Sequence, residues 1–147
     1  MGGPPTGTVT FLFTDIEGST RLWERDAKAM HSALARHDAI LHRVIEEQEG
    51  YVFKTVGDAF CCAFSTATDA LAAAIETQRA LFTEEWGLEG GVRVRMALHT
   101  GAAEERGGDY FGPPSTAWRG CSRPGTAGRC SYRWRPKSSC ATSCRPM

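Results

Sequence analysis

Three features of the sequence predict an α+β sandwich with a ferredoxin-like βαββαβ core. Hydrophobic residues recur with the two-residue period of strands in some stretches and with the helical period in others. These stretches follow one another as strand, helix, strand, strand, helix, strand. The two middle strands are joined by Gly57 and Asp58 alone, a two-residue connection that signals a hairpin. A hairpin set between two strand-and-helix units is the split βαβ plan.

Residues 1–7 are a Gly/Pro-rich lead-in expected to lack regular structure. In strand 1, Val9, Phe11 and Phe13 alternate with Thr10, Leu12 and Thr14, as in a strand largely covered on both faces, which makes it central. Residues 19–49 read as one long helical stretch, kinked near Asp26 and ended by Gly50, with Met30, Leu34, Leu41 and Ile45 as its apolar stripe. His31, His37 and His42 read as polar-face or boundary residues rather than ligands, because no cluster of soft ligands accompanies them. YVFKTV (51–56) and AFCCAF (59–64) form the hairpin, and the adjacent Cys61 and Cys62 point to opposite faces as buried thiols. Thr66 or Thr68 caps a second helix that runs to about Glu85, with Ala70, Leu71, Ala74, Ile75, Gln78 and Leu81 as a mostly small apolar face. Gly90 and Gly91 break the chain before VRVRMALHTG, a fourth strand with Val92, Val94, Met96 and Leu98 on one face.

The chemistry concentrates where strand 1 ends. It runs into Asp15, and Gly18, Ser19 and Thr20 then open a helix whose free N–H groups and positive dipole end suit phosphate oxygens. A carboxylate beside such a cradle repels phosphate unless a cation lies between them. The alternative is that Asp15 and Ser19 only cap the helix. If strand 3 lies antiparallel beside strand 1, Asp58 faces Asp15. Two carboxylates at adjoining strand ends can hold two divalent cations about 4 Å apart, the arrangement of two-metal phosphoryl transfer.

With 147 residues the chain is long enough for one domain with its own core. Its net charge of zero hides an asymmetry: residues 1–114 carry 10 Lys or Arg against all 17 acidic residues, while residues 115–147 carry six Arg, one Lys and no acid. No stretch has the form of a signal peptide or approaches the roughly 18 apolar residues of a membrane span, so a cytoplasmic protein without a membrane partner is expected. Cys121, Cys130, Cys140 and Cys144 are spaced by eight, nine and three residues, without the paired knuckle of a zinc site.

FTDIEGSTRLWE, FKTVGDAFCCAF, LHTG and GDYFGP together resemble the class III adenylate/guanylate cyclase catalytic domain in its bacterial form, in the family's order over residues 8–114. The resemblance implies that Asp15 and Asp58 bind two Mg²⁺ or Mn²⁺ ions, assisted by the Ile16 carbonyl. It also implies that the Gly18, Ser19 and Thr20 amides hold phosphates. Lys54 falls at the purine-reading position and Asp109 at its partner position. Lys can donate to adenine N1 and Asp can accept from the 6-amino group, so ATP is favoured over GTP. In isolation Lys54 could be a charge protecting an edge strand and Asp109 a loop carboxylate. Arg95 reads as a solvated strand residue and receives no role. The family's site forms between two subunits, which implies a head-to-tail homodimer making 3′,5′-cyclic AMP and pyrophosphate.

The resemblance stops after Gly112, Pro113 and Pro114. Where the family has an Asn and, four residues later, an Arg that stabilises the transition state, this chain has Thr116 and Gly120. The domain is therefore read as truncated at its C-terminal end, and the activity of this chain as impaired. The segment 115–147 has no Leu, Ile, Val, Phe or acid but six Arg, six Ser, four Cys and two Trp, a mixture that cannot build a core element. Such a composition arises when a GC-rich gene is read out of frame. Rebuilding each codon from the last base of one tail codon and the first two of the next permits LNRVARLLAAGHGGQVLLS and later LPPDV, with Asn at position 116 and Arg at position 120. A frameshift near codon 114 is thus one reading. A basic arm for nucleic acid or anionic lipid is the other, and no nucleic-acid partner is expected. A catalytically silent nucleotide-binding or dimerisation remnant is the competing functional reading.

Overall fold

The computed structural model describes residues 3–111. Its elements are β1 (Gly7–Ile16), α1 (Ser19–Arg25), α2 (Ala27–Glu47), β2 (Tyr51–Val56), β3 (Ala59–Phe64), α3 (Ala67–Thr83), β4 (Val94–Arg106) and β5 (Asp109–Phe111). The sheet is antiparallel throughout, in the order β2-β3-β1-β4-β5. Its first four strands have the order that the βαββαβ plan requires. β1 is central, paired to β3 through Thr10–Thr14 and to β4 along its whole length.

Because β1 and β3 are covered on both faces, alternate residues feed two cores. Leu12, Ile16, Phe60, Cys62 and Phe64 face the helices and pack with Met30, Leu41, Ile45, Ala70 and Leu81. Val9, Phe11, Phe13, Cys61 and Ala63 face the other way and pack with Tyr110. Cys61 and Cys62 thus sit on opposite faces as expected, both as free thiols.

The long helical stretch is two helices. Asp26 leaves helical geometry at φ −154°, ends α1 and caps α2 by accepting from the Ala29 N–H at 2.9 Å. At the far end of α2 the left-handed position is taken by Glu49 (φ 56°) rather than by Gly50. Gly50 is needed for closeness: a Cβ there would lie 2.5 Å from the Phe64 ring and 2.7 Å from Ile45.

Two expectations about helix faces are corrected. His37 is fully buried in α2, its Nδ1 bonded to Asp38 at 2.8 Å and its ring edge on to Phe60. A neighbouring carboxylate makes that burial tolerable where sequence pattern suggested a boundary position. On α3 the buried face is Ala70, Ala73, Ala74, Thr77 and Leu81, while Leu71, Ile75 and Gln78 are exposed. Small side chains let α3 lie close to α2 and the sheet, which turns the larger ones outward. Thr66 is its cap, accepting from the Asp69 N–H.

β4 extends to Arg106, past the expected end at Gly101, and turns through Gly107 and Gly108, both at positive φ, into the short β5. That hairpin folds over the second face of the sheet. Tyr110 packs edge-on against Phe11 of β1 at 5.2 Å and Phe53 of β2 at 4.9 Å between ring centres. Its hydroxyl donates to the Pro5 carbonyl at 2.7 Å, so the lead-in carries a specific contact. Residues 112–147, with Thr116 and Gly120, lie outside the described residues.

Candidate functional site

The β2–β3 turn and the end of β1 converge because β1 and β3 run antiparallel. Gly57 takes φ 60° at the first turn position, which places Asp58 at the second, beside the last residues of β1. The Ile16 N–H donates to Asp58 Oδ2 at 2.6 Å. Asp58 is therefore bonded to the residue next to Asp15, and the two carboxylates share one corner of the sheet.

Asp15 is opposite Arg95 in the β1–β4 register, and the guanidinium grips it with both arms: Arg95 Nε donates to Oδ1 at 2.8 Å and Nη2 to Oδ2 at 2.6 Å. The Asp15 side chain is 30% exposed and that of Arg95 62%. Sequence reasoning missed Arg95, because only strand register reveals that it faces Asp15. The guanidinium thus offsets the Asp15 charge in the cation-free chain.

Immediately beyond, Gly18 adopts φ 66° as the N-cap of α1, and no side chain caps that helix. Neither Asp15 nor Ser19 serves as a cap, which leaves the Gly18, Ser19 and Thr20 amides at an uncapped helix start. The donor set available to a divalent ion is two carboxylates and the Ile16 main-chain carbonyl. Among the described residues no three His, Cys, Asp or Glu side chains converge. Such an oxygen-only set fits a hard cation that keeps part of its water shell.

Lys54 and Asp109 both lie near Cys61 on the second face. Lys54 is exposed on the edge strand β2 and pairs in register with Cys61 of β3. Asp109 opens β5 instead of lying in a loop, and its Oδ1 accepts from the Tyr110 N–H at 2.8 Å. The tip of the β4–β5 hairpin reaches β2: a Cβ on Gly108 would lie 3.1 Å from the Tyr51 hydroxyl. Burial pushes the Cys61 thiol up to about 11, with Lys54 acting to lower it and Asp109 to raise it. Both charges thus act on a single thiol.

Among the described residues no helix is long and apolar enough to cross a membrane. The profile of the adenylate and guanylate cyclase catalytic domain matches residues 2–104. An adenylate cyclase of Neurospora crassa is 36% identical over 135 residues, covering 75% of this chain and 6% of that protein. An uncharacterized protein of Mycobacterium tuberculosis is 38% identical over 112 residues, covering 75% of this chain and 37% of its own length. The chain thus spans only a small part of the length of these relatives. A structure of an adenylate cyclase from Trypanosoma brucei, solved in its monomeric state, superposes with a TM-score of 0.70 at 29% identity, covering 79% of this chain and 68% of that one. This chain belongs to the adenylate and guanylate cyclase catalytic domain family.

Proposed function

We propose that the chain is an adenylate cyclase domain converting ATP to 3′,5′-cyclic AMP and pyrophosphate in cyclic-nucleotide signalling. The observation that carries this reading is the hydrogen bond from the Ile16 N–H to Asp58, which joins the two acidic strand ends beside the uncapped start of α1. Asp15, Asp58 and the Ile16 carbonyl would hold two Mg²⁺ or Mn²⁺ ions, cations that cyclase domains in general use. Bound there, the ions would supply Lewis acidity and offset the charge of the triphosphate. Gly18, Ser19 and Thr20 amides would fix its oxygens.

Lys54 and Asp109 would read the adenine, the first donating to N1 and the second accepting from the 6-amino group. The ribose 3′-oxygen then bonds to the α-phosphorus as the bond from that phosphorus to the bridging oxygen breaks. The hydroxyl proton passes to solvent, and pyrophosphate leaves. The chain contributes position and charge and no covalent intermediate. Head-to-tail pairing of two copies would set the acidic corner of one against the base-reading face of the other. A cytoplasmic location fits an ATP substrate.

Residues 8–114 would form the catalytic domain, with 1–7 as its lead-in and 115–147 as a segment displaced in frame. Sequencing the gene and transcript across codons 110–120 tests this: an extra base restoring Asn at 116 and Arg at 120 supports it, and the present frame refutes it. Thr116 and Gly120 favour a second reading, a silent nucleotide-binding or dimerisation remnant. Losing a donor aimed at developing charge costs about 10² to 10³ in rate for each group. Cyclic AMP formation from ATP with Mn²⁺, abolished by Asp58→Asn, supports the enzyme. Binding of ATP and Mn²⁺ without any cyclic AMP supports the remnant.

A further inference from the structure

We infer that Arg95 competes with the divalent cation for Asp15, holding this carboxylate in the cation-free chain and yielding it when a cation arrives. The inference rests on the reading of Asp15 and Asp58 as cation ligands. Its basis is the two-armed pair, in which both Asp15 oxygens are engaged at 2.8 and 2.6 Å. Each of those oxygens has a second lone pair, but an ion that takes the lone pairs facing the guanidinium must first part them from it.

Three features make the exchange feasible. The pairing is fixed by the backbone, since Asp15 and Arg95 are register partners in the β1–β4 ladder, so Arg95 returns to the same carboxylate whenever the ion leaves. The Arg95 side chain is 62% exposed, so it can swing into water without opening the core. The sign of its effect also reverses with occupancy. Without an ion, two carboxylates at one corner repel each other, and the guanidinium relieves that; with an ion, it is a like charge beside a cation. Asp58 is held differently, by the neutral Ile16 N–H, and carries no such competition in the contacts described.

When only part of the population presents a free Asp15, the apparent affinity falls by that fraction. For an exposed ion pair the effect is modest, so removing the competitor should tighten cation binding roughly two- to sixfold. The test is Mn²⁺ titration of the full chain without nucleotide, with free Mn²⁺ followed by electron paramagnetic resonance. Arg95→Gln should bind more tightly than wild type, and Arg95→Lys, which keeps the charge but loses the fork, should fall between them. The Mn²⁺-induced rise in melting temperature should be larger in Arg95→Gln. Equal or weaker binding by Arg95→Gln, with Asp15→Asn impaired, would overturn the competition and leave the ligand reading standing. Wild-type binding by both Asp15→Asn and Asp58→Asn would remove the ligand reading itself, and this inference with it.

Discussion

The two ends of the proposed nucleotide site are built by different means. At the acidic corner, three strand ends are tied by direct bonds: Ile16 to Asp58 through a main-chain N–H, and Asp15 to Arg95 through a two-armed ion pair. At the proposed base-reading face, Lys54 on β2 and Asp109 on the β4–β5 hairpin both lie near Cys61, and Tyr110 anchors that hairpin on Phe11, Phe53 and the Pro5 carbonyl. Hydrogen bonds to backbone fix a carboxylate closely, whereas an exposed Lys on an edge strand keeps its rotamer freedom. The acidic corner is therefore preorganised, whereas Lys54 at the proposed base-reading face is left free to change rotamer.

The largest test of this contrast is Asp58→Asn. It should lower cyclic AMP formation by at least about 10² to 10³ while circular dichroism stays unchanged, because the amide oxygen can still accept from Ile16. Tyr110→Ala should cost about 3–5 kcal/mol in urea denaturation, since it removes a fully buried ring. Tyr110→Phe, losing only the bond to Pro5, should cost about 1 kcal/mol. The partial loss of hairpin anchoring in Tyr110→Phe should weaken ATP binding and leave Mn²⁺ binding intact; equal loss of both would show that the two ends are not independent. Lys54→Glu should lower kcat/KM for ATP about tenfold or more without affecting Mn²⁺ binding.

The smallest effect is on pH dependence. Cys61 rises from 9.0 to about 11 through burial, partly offset by Lys54 and reinforced by Asp109. Between those values the unfolded chain has released the proton and the folded chain keeps it. Stability is thus complete below pH 9 and falls as pH rises through 11. Tyr110, pushed from 10.0 to about 12 by burial, extends the decline. Cys61→Ala should flatten the first part of that fall in denaturation midpoints.

Much of this was legible because local signals agreed with the fold. The period of β1, the Gly57-Asp58 turn and the helix break at Asp26 each depend on near neighbours, and each is in place. What was not legible depends on register or on competition between faces. Arg95 meets Asp15 only through pairing between residues 80 apart in sequence. β5 is three residues long, in a stretch whose glycines signal a turn. The α3 face was misread because Leu71 and Ile75 are more hydrophobic than Ala73 and Thr77, yet only the smaller pair fits beneath the helix. The motifs named Asp15, Asp58, Lys54 and Asp109 as candidates. They did not show how each is held.

The most direct measurement is cyclic AMP formation from ATP and Mn²⁺ by the purified 147-residue chain and its Asp58→Asn variant, side by side. A slow turnover that requires Asp58 is expected if the acidic corner performs cyclisation even with Thr116 and Gly120 in place. Turnover equal in the two proteins, or none in wild type despite binding of ATP and Mn²⁺, would contradict it.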